Sequence, residues 1–223
     1  MRTRILIIIS FLIINFFHAQ DSLKVQKTRL IALTPLNGKI DKVNGLTIGL
    51  GFDSEHIIKE QNVKLHQKVN GLNIDVNALG FLLWMFYDPA KGENAEFVKI
   101  NGLTISAAGY LRGVSHNGMS ISLYNYGHTM NGISGTLFTT YIEKGNGIFV
   151  SSLGVYSKEL NGMSLSVFND AEMVRGIQIG GYNAGDDVKG LQIGLVNTSK
   201  KLKGLQIGLW NKNGKRSLPI INF

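Results

Sequence analysis

The stretch Gly190-Leu-Gln-Ile-Gly-Leu-Val-Asn197 decides the fold, because it returns fourteen residues later as Gly204-Leu-Gln-Ile-Gly-Leu-Trp-Asn211. A shorter copy, Gly176-Ile-Gln-Ile-Gly180, precedes both at the same spacing. Looser copies, most with an asparagine just before the glycine, begin at Gly45, Gly71, Gly102, Gly118, Gly132, Gly147 and Gly162. Self-similarity at a nearly constant period over ten units indicates a repeat architecture.

Within each unit, apolar residues alternate with small polar ones. If the first glycine is position 0, 27 of the 30 residues at positions 1, 3 and 5 are apolar. By contrast, 19 of the 20 residues at positions 2 and 4 are Gly, Ser, Thr, Asn, Gln or Asp. A period of two is typical of a β-strand and excludes a helix. The pattern predicts an all-β chain in which each unit is one strand followed by a polar turn.

The preferred architecture is a repeat-built up-and-down β-barrel of about 12 antiparallel strands, of the outer-membrane type. Its apolar positions would face lipid, and its small polar positions would face the interior. A first strand around Thr28 to Thr34 and a last strand ending at Phe223 would complete the even strand number of bacterial barrels. The expected partners are then outer-membrane lipid and the barrel-assembly machinery, whose substrates end on an aromatic residue such as Phe223.

The alternative architecture is a β-solenoid with 14-residue coils, in which the apolar positions stack inward. A parallel, in-register neighbour would favour this alternative, and an antiparallel neighbour would favour the barrel. One offset would then carry a hydrogen-bonded ladder of Asn125, Asn169, Asn183, Asn197 and Asn211. The outer face of the solenoid would carry a candidate binding row for a glycan or protein partner, formed by Gln178, Gln192 and Gln206.

The first residues indicate export. Residues 1–19 are predicted to be a signal peptide, because a short basic start precedes an apolar run and Ala19 offers a cleavage point. Residues 20–223 are then a single β-repeat domain, and loss of Arg2 and Arg4 without an acid lowers the formal net charge from +8 to +6. The predicted location is the outer membrane or the cell surface.

One segment breaks the repeat. Leu79-Gly-Phe-Leu-Leu-Trp-Met-Phe-Tyr87 does not alternate. It is predicted to be a longer strand or hairpin edge that is buried on both faces. The second interpretation is a lid, a plug or a membrane-inserting loop.

The repeat units, the segment Ser122-Leu-Tyr-Asn-Tyr126 and the ending Asn213-Gly-Lys-Arg-Ser-Leu-Pro-Ile-Ile-Asn-Phe223 resemble bacterial surface-repeat proteins of the spirochaete and Bacteroidetes type. The resemblance covers most of the chain after the signal peptide and is most specific in the last fifty residues. It implies an envelope or surface location. It brings no established activity and no catalytic residues.

The sequence contains no recognisable catalytic, cofactor or metal site. Its histidines beyond the signal peptide show no metal-ligand spacing with one another or with carboxylates: His56, His66, His116 and His128. Ser115 and His116 are neighbours that point to opposite faces of a strand, so they do not form a nucleophile and base pair. The chain has no cysteine, which excludes disulfides and thiolate metal sites.

The predicted function is therefore that of a non-enzymatic cell-envelope protein with a structural, surface or channel role. The alternative is a secreted or surface-attached solenoid that binds a partner or a glycan. Nucleic-acid binding is not expected, because no basic stripe alternates with aromatic residues.

Overall fold

The structure, a computed structural model, describes residues 28–37, 39–51, 67–76, 98–107 and 113–223. The predicted signal peptide and the segment Leu79–Tyr87 lie outside the described residues. Within these ranges, no helix is long and apolar enough to cross a membrane. The described residues form one seven-stranded sheet in sequence order, with strands β1 (Thr28–Thr34), β2 (Lys42–Gly49), β3 (Gln67–Asp75), β4 (Val98–Ser106), β5 (Val114–Ser151), β6 (Gly154–Lys212) and β7 (Ser217–Asn222).

Neighbouring strands from β1 to β6 run parallel. Equal repeat positions pair, so that Gly45 is aligned with Gly71, Gly71 with Gly102, and Gly102 with Gly118. The residues on either side of these glycines are matched in the same way. Because like side chains stack on like, ladders of hydrogen bonds can run along the whole sheet.

The strands β5 and β6 continue over 38 and 59 residues. A straight strand of the longer length would extend roughly 195 Å at ~3.3 Å per residue. Instead, the side chain of Asn169 donates to Asn183, and that of Asn183 donates to Asn197, although each pair is 14 residues apart. The chain therefore turns back on itself once in each repeat, and each repeat adds the next rung to the same sheet.

The first glycine of each repeat, which we call the corner glycine, makes this stacking possible. Gly190 has a φ of +148° and Gly204 a φ of +151°. A Cβ built on either residue would lie 1.9 Å from the carbonyl oxygen of the preceding corner glycine. No side chain fits at that separation, and L-residues rarely adopt that backbone conformation. Close stacking therefore explains why every unit begins with glycine.

The interior of the stack mixes aliphatic with polar side chains. Position 2 points inward and is mostly polar, as at Thr47, Asn73, Ser134 and Gln192, all of which are buried. Positions 1, 3 and 5 consequently point outward. The aliphatic part of the core comes mainly from residues two positions before the corner glycines, namely Val43, Val69, Ile100, Met130, Leu160, Val174 and Val188.

The predicted antiparallel barrel is wrong. Among the described strands, only β7 runs antiparallel to its neighbour, and the sheet is open because β1 and β7 lie at its two edges. The physical reason is the bend inside each unit. Successive repeats pair in parallel, so the chain returns in the same direction after about one repeat, whereas the barrel prediction treats the polar half of each unit as a simple reversing turn.

The solenoid alternative is not confirmed either. Parallel, in-register pairing is the neighbour relation that it requires, but the sheet is open and the two faces are reversed. That alternative expects the apolar positions inside, whereas the structure buries the polar residues at position 2. A closed 14-residue coil remains a prediction.

The strand β7 covers the last edge of the parallel stack. Its Asn222 donates from Nδ2 to Oε1 of Gln206, at 2.9 Å, and so continues a side-chain ladder of β6. Pro219 lies within β7, which is compatible with an edge position because proline cannot donate to a further strand. The predicted first strand, Thr28 to Thr34, is present as β1.

Candidate functional site: an exposed apolar face

Positions 1, 3 and 5 of the repeats form a solvent-exposed apolar surface, which we call the outer face. Side chains of this type are most often buried in folded proteins. On the outer face, sixteen of them are more than a third exposed: Ile48, Leu50, Val76, Leu103, Ile105, Met119, Ile121, Ile133, Leu137, Ile148, Val150, Leu165, Val167, Leu195, Ile207 and Leu209. The outer face therefore exposes many apolar side chains of the kind that folded proteins usually bury.

The outer face is continuous, because equal positions of successive repeats stack on one another. Ten rungs at ~4.8 Å extend roughly 45 Å, and positions 1 to 5 span about 13 Å at ~3.3 Å per residue. The product, roughly 600 Å², reaches the size of the largest apolar patch that typical monomeric proteins expose. Such patches mark sites that contact a protein or a membrane.

Aromatic residues extend the outer face on the side beyond position 5. Phe168, Tyr182 and Trp210 all occupy position 6, and their side chains are 48%, 39% and 51% exposed. We call these three residues the aromatic margin. The earlier repeats differ, since Tyr124 occupies the same position but is buried and stacks on Phe138 with ring centroids 4.9 Å apart.

Basic residues lie on the other side of the outer face, next to the corner glycines. Arg175, Lys189 and Lys203 each come directly before a corner glycine, and all three are exposed. We call them the basic margin. Only Lys189 has an acid nearby among the described residues, Asp187, at an N to O distance of 3.9 Å.

Charges at the other end of the repeat are paired, in contrast to the basic margin. Glu143 binds both His128, at 2.8 Å, and Lys158, at 3.4 Å. Lys200 lies 2.8 Å from Asp186. Such exposed pairs add little stability. They do show that several charges on that side are paired within 3.4 Å, whereas Arg175 and Lys203 of the basic margin have no acid within 4 Å among the described residues.

The candidate binding row predicted from sequence lies inside the stack. Gln178, Gln192 and Gln206 are fully buried. Gln192 donates to Gln178 and Gln206 donates to Gln192, each at 2.7 Å. The row is therefore a structural ladder on the inner face, and its predicted outer-face position is wrong. Its role in binding stays untested.

The asparagine ladder expected of the solenoid forms in part. Asn169, Asn183, Asn197 and Asn211 are linked by side-chain hydrogen bonds of 2.7 to 2.8 Å. Asn125 does not join them, and its Nδ2 donates to Ser134 instead, at 2.7 Å.

Two buried titratable groups lie in the first half of the stack. Burial raises the pKa of Asp75 to about 6, against hydrogen bonds from Asn73 and Thr34 that lower it. Burial also lowers the pKa of His116 to about 4.

His56 and His66 lie outside the described residues. Across the part of the chain that the structure describes, no three His, Cys, Asp or Glu side chains come together in a metal-binding group.

The chain matches no protein-family model, no curated protein and no solved structure. The resemblance to bacterial surface-repeat proteins therefore rests on the sequence motifs alone. The feature that sequence reasoning misses is the basic margin, because lysines scattered between apolar segments are typical of soluble turns. The signal that could have revealed it is the shared offset of Arg175, Lys189 and Lys203 from their glycines.

Proposed function

We propose that the protein is a non-enzymatic component of the cell envelope that attaches through its outer face to another envelope surface. The observation that carries the proposal is the continuous apolar exposure along the stack. This exposure occurs in nine of the ten repeats, all except that of Gly176, and is not a local defect. A surface maintained over so many units supports a role in attachment.

The energetics favour a covered outer face over one left in water. Removing roughly 600 Å² of apolar surface from water at ~25 cal/mol per Å² gives about 15 kcal/mol before the entropic cost of association. That cost is of the order of 4 to 15 kcal/mol. Attachment through the whole face can therefore be stable, whereas contact through one or two repeats cannot.

The interior supports a scaffold. Its polar side chains bond to one another in ladders that run along the stack, as in the Gln178, Gln192 and Gln206 series. Satisfied, mutually bonded amides hold successive rungs in register. In this proposal the inner ladders maintain the geometry of the outer face, and binding occurs outside.

Export is the second part of the proposal. It is supported by the predicted signal peptide of residues 1–19 and by the resemblance to surface-repeat proteins. A glycan-binding role receives no separate support, because the residues expected to carry it are buried in the stack.

The experiment combines cell fractionation with substitutions on the outer face. Ile105, Ile121 and Val150 are 46%, 58% and 41% exposed, so replacing all three with threonine preserves β-propensity and leaves the core intact. The wild-type chain is expected in the envelope fraction. The triple variant is expected to move largely to the soluble extracellular or periplasmic fraction.

The control replaces with threonine two exposed aliphatic residues of the terminal strands that do not align with positions 1, 3 or 5: Leu30 and Ile220. This variant is expected to fractionate like the wild type. Equal release of both variants, or a wild-type chain recovered in the cytoplasm, would contradict the proposal.

A further inference from the structure

We infer that the surface covered by the outer face is a lipid bilayer with anionic headgroups. This inference rests on the proposed function and names its partner. It is carried by the two margins, which differ in chemistry and lie on opposite sides of the aliphatic ladders.

The basic margin supplies charge complementarity. Arg175, Lys189 and Lys203 belong to three successive repeats, so their backbones are stacked at ~4.8 Å intervals. Like charges this close repel each other. Among the described residues, the single distant contact of Lys189 with Asp187 offsets this repulsion only in part. Anionic headgroups would neutralise the three charges together.

The aromatic margin supplies the second element of membrane recognition. Phe168, Tyr182 and Trp210 are each at least 39% exposed and stand beside the aliphatic ladders. Tyrosine and tryptophan are enriched where a membrane meets water, because their rings are apolar and one atom can bond to water or headgroups. Two repeats carry both margins, because Arg175 and Tyr182 belong to one repeat and Lys203 and Trp210 to another. Phe168 and Lys189 extend the two margins in neighbouring repeats.

A second copy of the chain fits these features less well. Two outer faces in contact would bury roughly 1,200 Å² in total, the lower limit for a specific protein interface. Association would also combine two chains that each carry a formal charge of +6 after signal removal, whereas an anionic bilayer offers the opposite charge.

The test uses the full chain, purified from expressing cells after export, and large vesicles. One set contains phosphatidylcholine alone, and the other contains phosphatidylcholine and phosphatidylglycerol in a two to one ratio. Flotation measures the bound fraction. The inference predicts at least tenfold stronger partitioning to the anionic vesicles, with an advantage that decreases as salt is added.

Tryptophan fluorescence locates the contact. The chain contains two tryptophans, Trp84 and Trp210, so a Trp84→Phe background leaves the aromatic margin as the only reporter. The emission of Trp210 should shift to shorter wavelength on addition of anionic vesicles and should be quenched by lipids brominated near the headgroup. A bound chain whose Trp210 stays exposed to a water-soluble quencher would overturn the inferred orientation.

Two matched charge variants separate the basic margin from net charge. Lys189→Gln with Lys203→Gln removes two charges from the margin, and Lys158→Gln with Lys200→Gln removes two exposed charges elsewhere. The first pair is expected to weaken binding to anionic vesicles by about 25-fold, at about fivefold per charge near the surface. The second pair should change it by less than about threefold.

The outcomes distinguish the inference from the function on which it rests. Equal binding to neutral and anionic vesicles, or equal loss in both charge variants, would overturn the anionic partner but leave attachment through the outer face. The wild-type chain could also form a dimer without vesicles, and the Ile105, Ile121 and Val150 triple variant could be monomeric. That result would likewise overturn the anionic partner but leave attachment through the outer face. A monomer that binds neither vesicle and does not fractionate with the envelope would overturn both.

Discussion

The N-terminal and C-terminal halves of the stack hold their rungs together in different ways. From Asn44 to Asn161, the residue before each corner glycine is asparagine, and the seven side chains form one ladder with bonds of 2.5 to 2.9 Å. From Asn169 onward the amide ladders lie inside, at position 2 and position 7. The stack thus has an amide ladder in both halves, but its location changes.

This change gives the C-terminal half a surface that the N-terminal half lacks. Once the inner glutamines and asparagines connect the rungs, the residue before the glycine is no longer needed for the ladder. That position is then occupied by Arg175, Lys189 and Lys203. We conclude that moving the ladder inward is what makes the basic margin compatible with a regular stack.

The largest effect is expected where the two halves are alike, at the corner glycines. Gly190→Ala would place a Cβ 1.9 Å from the carbonyl oxygen of Gly176 at a φ of +148°. We expect a loss of about 4 kcal/mol or more in the free energy of unfolding, measured by urea denaturation.

The control for this substitution is Gly135→Ala. Gly135 occupies an outward position, where an added Cβ would meet its nearest atom, a carbonyl oxygen, at 4.0 Å. This variant is expected to stay within about 0.5 kcal/mol of the wild type. Similar losses in both variants would mean that glycine content, and not the corner, determines stability.

A second prediction compares the inner ladder with the corner ladder. Gln192 donates to one glutamine and accepts from another, both at 2.7 Å and fully buried. Asn146 likewise donates to one asparagine and accepts from another, but it is only half-buried. We expect Gln192→Ala to cost about 3 kcal/mol, because two buried partners lose a bond, and Asn146→Ala about 1 kcal/mol. Equal losses in the two variants would contradict the conclusion that the ladder moves from the corner in the N-terminal half to the interior in the C-terminal half.

The third prediction concerns pH, because Asp75 and His116 both lie in the N-terminal half. The pKa of Asp75 is raised in the fold, so the stability that it contributes is present below about pH 4 and is lost as the pH rises towards 6. The pKa of His116 is lowered, so its contribution is present above about pH 6.5 and is lost as the pH falls towards 4. The two dependences oppose each other.

Single substitutions should separate them. Between pH 4 and 6.5, Asp75→Asn should make stability rise with pH relative to the wild type, and His116→Gln should make it fall, each by at most about 3 kcal/mol. Urea titrations across this pH range measure both slopes. Parallel curves for the two variants and the wild type would show that neither group is perturbed in the folded chain.

Much of the fold is predictable from sequence, but the alternation of residue types limits what can be predicted. Alternation fixes which residues share a face, so the inner set containing Thr47 and Gln192 and the outer set containing Ile48 and Ile193 are both assigned correctly as sets. Alternation does not fix which set is buried or whether neighbouring strands are parallel. The buried set and the strand direction both depend on the corner glycines. Their role is visible only in the structure, where the carbonyl oxygen of one corner glycine occupies the place that a Cβ of the next would take.

The candidate site shows the same limit. The aliphatic ladders and the position of Trp210 are visible in the sequence, but their exposure is not, since one predicted architecture faces them to lipid and the other buries them. The glutamine row is visible as a row and is misplaced, because a polar interior held by amide ladders contradicts the usual expectation that apolar residues form the core.

The smallest effect is expected from substitutions that extend the corner asparagine ladder of the N-terminal half into the C-terminal half. Arg175→Asn, Lys189→Asn and Lys203→Asn together would let the ladder that ends at Asn161 continue through three more rungs. Each amide bond at a half-buried site contributes a few tenths of a kcal/mol, so we expect a gain of about 1 kcal/mol in the free energy of unfolding.

The control replaces the same three residues with serine, which removes the charges without supplying amides. Urea denaturation should find the asparagine variant more stable than the serine variant, while both lose binding to anionic vesicles. If the two variants were equally stable, relief of charge repulsion alone would explain the gain. If the asparagine variant is the more stable, the wild-type chain gives up ladder bonds at these three corners, and the basic margin is the feature that replaces them.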